Sequence, residues 1–190
     1  MADPPKKRAT YEDVMNAPEH MLAEIIDGDL LLFPRPARPH TAALSALGEE
    51  LGPPFKRGRG GPGGWIILDE PELHFAEDVL VPDMAGWRRE RMPVITTEAP
   101  YFTLSPDWVC EVLSPRTAVT DRVRKLPIYA RENVGYIWLV DPLLRTLEVM
   151  RRQDMAWLVV ATFEGNAKIR AEPFDAIDLE LGILWADVQL

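Results

Sequence analysis

Asp83, Glu111 and Lys125 lie far apart along the chain, yet they are the residue types that metal-assisted phosphoryl chemistry uses. Two carboxylates can hold Mg²⁺, which keeps several waters and takes substrate phosphate oxygens in its remaining positions. The ion would polarise the phosphoryl oxygen and acidify a bound water, while an amine would place that water or offset charge in the transition state. Each residue alone also has an ordinary explanation. Asp83 follows Pro82 and reads as a strand-end turn aspartate. Lys125 stands four residues after Asp121, where an exposed i,i+4 pair contributes only a few tenths of a kcal/mol. Glu111 is harder to dismiss. It sits inside 108–113, a strand-like run apolar on both faces, bounded by Ser105-Pro106 and Ser114-Pro115. Burying its charge without compensation is costly, so it calls for a lysine, a metal or a proton.

The elements around these residues set how they could meet. Pro82 ends the last of three strand-like runs (65–68, 72–75 and 78–82) and re-aims the side chain after it. Upstream, Thr10 caps a short helix over 11–15, and 23–33 reads as a hairpin turning on Asp27-Gly28 in a type I′ turn. A helix over 41–51 carries Ala42, Leu44, Leu47 and Leu51 as its apolar stripe and ends at Gly52-Pro53-Pro54. His40 at its entrance reads as a cap or surface residue. The glycine-rich 58–64 lacks the Gly-Lys-Ser/Thr end of a phosphate-binding loop and reads as a mobile loop, and 88–100 as a surface excursion. Residues 118–133 form a helix with Val119, Val123, Leu126 and Ala130 on one face, and Pro127 predicts a kink or break in it. With the strands before and after, this helix makes a unit long enough for a parallel crossover. Antiparallel additions over 146–151 and 157–163 follow, and the tail from Ala171 closes an edge or meets another subunit.

Composition bounds the function. With 190 residues, 47% hydrophobic and 27% charged, 10–190 is expected to be a single domain behind a disordered, Pro- and Lys-rich tail over 1–9. A net charge of −9 and a pI near 4.9 argue against an unselective polyanion binder, although the basic residues are clumped. A lone cysteine, Cys110, excludes an internal disulfide and reads as a core residue. No apolar run approaches bilayer length and the amino terminus has no apolar secretion segment, so a cytoplasmic location is expected.

Pro82-Asp83, the stretch 106–115, Asp121, Lys125, Tyr129, Gly135 and Trp138-Leu139-Val140-Asp141-Pro142 together resemble the Uma2 family, also called DUF820, whose members are assigned as endonucleases. Glu24, in Glu-Ile-Ile-Asp-Gly-Asp-Leu, matches that family's early glutamate-hairpin motif. The resemblance places the chain in the PD-(D/E)xK superfamily. It implies an α/β (α+β), restriction-endonuclease-like fold with a central mixed β-sheet flanked by helices, and Mg²⁺-dependent phosphodiester cleavage. By the same resemblance Asp83 and Glu111 are the metal-binding carboxylates and Glu24 is a further acidic member. The superfamily lysine two residues after the glutamate is here Leu113, which shifts that role to Lys125. Glu72 and Asp121 are implied as outer members of the site, and Arg116 and Arg122 as phosphate contacts.

The expectation is therefore an endonuclease acting on DNA with Mg²⁺ or, in its place, Mn²⁺, and by analogy a homodimer. The acidic pI keeps a second expectation open, a catalytically inactive module that binds nucleic acid or protein.

Overall fold

A strand whose side chains are all buried needs cover on both faces, and the 108–112 segment is of that kind. The computed structural model describes residues 7–188. In chain order the elements are α1 (Tyr11–Met15), β1 (Met21–Ile26), β2 (Asp29–Pro34), α2 (Arg38–Leu51), β3 (Trp65–Asp69), β4 (Leu73–Phe75), β5 (Asp78–Leu80) and β6 (Met84–Arg88). Then come β7 (Trp108–Val112), α3 (Leu126–Arg131), β8 (Tyr136–Asp141), β9 (Thr146–Gln153), β10 (Ala156–Glu164), β11 (Lys168–Ile169) and β12 (Leu179–Glu180). Of the tail expected over 1–9, residues 1–6 lie outside the described residues, while Ala9 N donates to Gly28 O at 2.9 Å.

Six strands form a mixed sheet in the order β10-β9-β8-β7-β6-β3. Within it β7 and β8 are parallel, as the strand-helix-strand spacing requires, and the other pairs are antiparallel. A second, antiparallel sheet runs β2-β1-β5-β4. Its hairpin turns where the sequence places it, with Asp27 and Gly28 at φ 55° and 82°. Positive φ at both central residues is the type I′ geometry that matches strand twist.

Besides the two-residue β11, β6 is missing from the sequence reading. Its five residues, Met-Ala-Gly-Trp-Arg, carry little β propensity, yet they pair with β3 on one side and β7 on the other. Gly86 permits this: a Cβ there would stand 3.2 Å from the Trp108 ring and 3.3 Å from that of Trp65.

Alternation along β7 divides the core in two. Trp108, Cys110 and Val112 face Ala43, Leu47 and Leu51 of α2, while Val109 and Leu113 face Ile128 and Tyr129 of α3 and the second sheet. Glu111 is in step with Val109 and Leu113, so it points toward α3. The α2 stripe is rotated from the predicted one. The helix begins at Arg38, with Pro39 in its first turn, and buries His40, Ala43, Leu47 and Leu51. Its end also differs: Pro53 and Pro54 have no N–H for i−4 bonds, and the chain continues as a π-helical turn (Gly52–Lys56) closed by Arg57 N to Gly52 O at 3.1 Å.

The tail covers a sheet face rather than closing an edge of the six-stranded sheet. β11 and β12 make a small ribbon, and Phe174, Leu181, Leu184 and Trp185 pack into the α2 side of the core. Phe174 is 2% exposed, with ring centroids of Phe55, Trp65, Trp108 and Trp138 between 4.6 and 5.5 Å away. Phe174→Ala is expected to cost about 3–5 kcal/mol in urea-unfolding free energy. A loss under about 1 kcal/mol would contradict this packing role.

The helix before β8 departs most from expectation. Residues Thr120–Lys125 form a π-helical turn in which Leu126 N bonds to Asp121 O, five residues back, before α3 resumes with Pro127 in its first turn. The kink expected at Pro127 is thus taken up ahead of it. This turn leaves Val119 and Val123 exposed at 71% and 64%, and buries Asp121 and Lys125 at 3% and 4%. No helix among the described residues is long and apolar enough to cross a membrane.

Candidate active site

Glu24, Glu111, Asp121 and Lys125, all buried on α3's side of β7, share one recess. A cavity of about 360 Å³ is lined by Glu24, Asp83, Glu111, Asp121, Lys125 and His40, among others. Lys125 Nζ is 3.0 Å from Glu24 Oε1, 3.3 Å from Glu111 Oε1 and 3.3 Å from Asp121 Oδ1. All four of these side chains are at most 5% exposed.

Each arrives by its own element. Glu24 lies on β1 and its Oε1 accepts from Val81 N at 2.7 Å, tying the hairpin to the bend before β6. Pro82 stands between β5 and β6, and Asp83 at that bend has both oxygens occupied. Its Oδ2 accepts from Val112 N at 2.7 Å and its Oδ1 lies 3.0 Å from His40 Nε2. Glu111 Oε1 also accepts from Tyr129 OH at 2.6 Å. Lys125 and Tyr129, four apart on one helical segment, both donate to β7's carboxylate, and Asp121, four residues before Lys125, meets the same ammonium. The position two residues beyond Glu111 holds Leu113, 3% exposed in the core, so the ammonium reaches the cavity from the helix instead.

The electrostatics follow from one ammonium among several buried carboxylates. Burial pushes the Glu111 carboxyl well above the usual carboxylate range, and Asp121, Asp83 and Glu24 push it further against the pull of Lys125. Burial likewise raises Glu24 and Asp121, with Lys125 again opposing. For Lys125, burial favours the neutral amine, but Glu111, Glu24 and Asp121 together outweigh it and hold the ammonium well above its ordinary value. Burial, then Glu111, raises the Tyr129 phenol, which keeps it a hydrogen-bond donor.

Among the described residues, no three His, Cys, Asp or Glu side chains are arranged to cage an ion. Mg²⁺ does not require such a cage, since one or two carboxylates suffice when water and substrate complete an octahedron. The donors here suit that kind of site. They are hard oxygens, too many for one ammonium to neutralise, and Glu24 Oε2 is buried with no hydrogen-bond partner among the described residues.

Of the residues singled out in the sequence, Asp83, Glu111, Lys125, Glu24 and Asp121 come together, and Arg116 stands on the cavity wall. Glu72 and Arg122 do not line it. Glu72 Oε1 is 2.7 Å from His74 Nε2, and Arg122 pairs with Glu148 on β9. His40, read from sequence as a cap or surface group, is 7% exposed beside Asp83. A helix starting at Arg38 would have revealed it, because 40, 43, 47 and 51 then fall on one stripe.

The comparisons agree with this architecture. The crystal structure of a "putative nuclease belonging to DUF820" from Anabaena variabilis ATCC 29413 superimposes with a TM-score of 0.73 at 24% identity, covering 94% of this chain and 98% of that one. That likeness establishes the fold as restriction-endonuclease-like. No curated protein gives a significant sequence match. The Uma2 family model, described as "Putative restriction endonuclease", matches residues 9–183. Its span takes in every residue of the carboxylate and lysine cluster, and the chain belongs to the Uma2 family.

Proposed function

We propose that this protein is a Mg²⁺-dependent endonuclease that hydrolyses phosphodiester bonds in DNA, with Mn²⁺ able to substitute. The observation that supports it best is the meeting of Lys125 with Glu24, Glu111 and Asp121 beside Asp83, in one recess built from separate stretches of chain. Asp83 and Glu111 would hold the ion, with the unpartnered oxygen of Glu24 nearby. When bound, the ion supplies Lewis-acid polarisation of the phosphoryl oxygen and acidifies a water.

The chain's own groups do the rest. Val112 N and His40 fix both oxygens of Asp83, so its orientation is set before substrate arrives. Tyr129 fixes Glu111 Oε1. Lys125 acts as a permanent cation and donor, because the surrounding carboxylates hold its proton. Its three N–H groups face three carboxylates, so it reaches a phosphoryl oxygen or the attacking water only as one of them turns away. Relay of its charge to the transition state is the electrostatic contribution expected of it.

The direct test is incubation of plasmid DNA and of a single-stranded DNA circle with the purified protein and Mg²⁺, with a chelated control. Nicking or linearisation of at least one of them that the chelator abolishes is expected, and both left intact with Mg²⁺ and with Mn²⁺ would overturn the reading.

The raised carboxylates also set a pH dependence. A carboxyl raised in the folded state binds protons there that the unfolded chain has already released, so its contribution favours folding at low pH and fades as pH rises through the folded value. Metal ligation runs the other way, since the ligands must lose their protons. The Tm increase produced by a fixed Mg²⁺ concentration is therefore expected to be larger at pH 8 than at pH 5.5. Differential scanning fluorimetry measures it, and an increase that is equal at both pH values would count against carboxylate ligation.

A further inference from the structure

Resting on the phosphodiesterase reading, we infer that the site takes an unpaired nucleotide, so that single-stranded DNA is the substrate and intact duplex is not. The carboxylates and Lys125 lie at the floor of a recess rather than on an open surface. At about 360 Å³ the recess is near the lower end of small-ligand pockets, roughly 300–1,000 Å³, which suits one nucleotide and not a helical segment. The phosphates of a duplex are flanked by the partner strand and held in a stacked helix, so they do not enter a narrow recess singly.

The walls are apolar where a phosphate-only site would have no use for that. Leu22 and Phe33 face each other across the β1–β2 pair, and Leu22 shares its strand face with Glu24 two residues on. They line the cavity together with the carboxylates, and the partly buried Phe33 brings an aromatic ring to it. Stacking on an aromatic ring serves an unpaired base, whichever base it is.

Two cations stand at the opening. Arg35, in the connector between β2 and α2, and Arg116, after β7, both line the cavity and are exposed. Neither has a carboxylate partner among the described residues, and of the arginines without one they are the two that line this cavity. In a chain of net charge −9, cations left unpaired at the mouth are placed to take the phosphates on either side of the scissile one.

The experiment uses four substrates of one sequence, a fluorescein-labelled single-stranded DNA oligonucleotide, the RNA oligonucleotide, the blunt DNA duplex and a DNA duplex with a single-stranded flap, each with Mg²⁺. Cleavage of the single strand and of the flap is expected at a kcat/KM at least about tenfold above the blunt duplex. Phe33→Ala is expected to raise KM for the single strand roughly tenfold or more with little change in kcat. Arg35→Ala with Arg116→Ala should weaken binding and flatten its salt dependence. Duplex cut as fast as single strand would overturn this inference and leave the nuclease reading intact. The RNA oligonucleotide of the same sequence cut in place of DNA would overturn the choice of strand. Cleavage of none of the substrates with Mg²⁺ or Mn²⁺ would remove the nuclease reading and this inference with it. Anisotropy with Ca²⁺ in place of Mg²⁺ supplies a readout that does not depend on turnover, and duplex bound as tightly as single strand there would also overturn the inference.

Discussion

Glu111→Gln is expected to lower metal-dependent cleavage by roughly 10²–10³-fold or more while leaving the protein folded. The two halves of that outcome have separate causes. A carboxylate holds Mg²⁺ through an anionic oxygen, whereas the amide offers a neutral oxygen and a nitrogen in place of the second one, a much weaker ligand for a hard dication. Packing, by contrast, hardly notices the change. The glutamine oxygen can still accept from Tyr129 OH and Lys125 Nζ, which lie 2.6 and 3.3 Å from Glu111 Oε1 in the parent. Burial already pushes the parent carboxyl toward its neutral form, so a neutral isostere changes the charge balance little: the pull of Lys125 is lost together with the repulsion from Asp121, Asp83 and Glu24. The variant's unfolding free energy should match that of the parent. A folded variant that cleaves at the parental rate would remove Glu111 from the mechanism.

Lys125→Met is expected to destabilise the fold by about 3–5 kcal/mol at pH 8, because it leaves buried carboxylates without their shared cation. Lys125 touches Glu24, Glu111 and Asp121, and the loss of its attraction raises all three further in the folded state. The unfolded chain keeps ordinary carboxyl values of about 4. Between that range and the raised folded values, the folded variant holds protons that the unfolded chain has lost, so its stability increases as pH falls. Urea unfolding at pH 8 and pH 5 should therefore show a deficit against the parent that narrows at pH 5. Equal stability of variant and parent at pH 8 would mean that the lysine does not carry the charge balance of the site.

The hairpin at Asp27-Gly28, the buried strand around Glu111 and the parallel pairing of β7 with β8 were all legible from local pattern. Local pattern works there because turn chemistry and side-chain alternation act over neighbouring residues. β6 was not legible. Its cohesion comes from pairing on both sides and from the space that Gly86 leaves for two tryptophan rings, neither of which its own five residues encode. The packing of the C-terminal segment onto the core was not legible for the same reason, since its burial depends on α2 and β7 presenting an apolar face far back in the chain.

For the site, the pattern singled out Glu111, because a carboxylate inside an apolar strand has few affordable states, and offered Asp83 and Lys125 as candidates to join it. What it could not supply was the identity of the neighbours. The pair Asp121 and Lys125 has the spacing of an exposed surface pair, and Val119 and Val123 have that of a buried stripe. The π-helical turn reverses those assignments, burying the ions and exposing the valines. His40 joined Asp83 by a similar route, through a helix that starts earlier than its caps suggest. The chain by itself determined which groups were capable of the chemistry and which strands would carry them. Only the tertiary structure decided which of those groups share a dielectric and a cation, because charge compensation is a property of distances through space, and two sheets, a bend and a misaligned helical turn set those distances together.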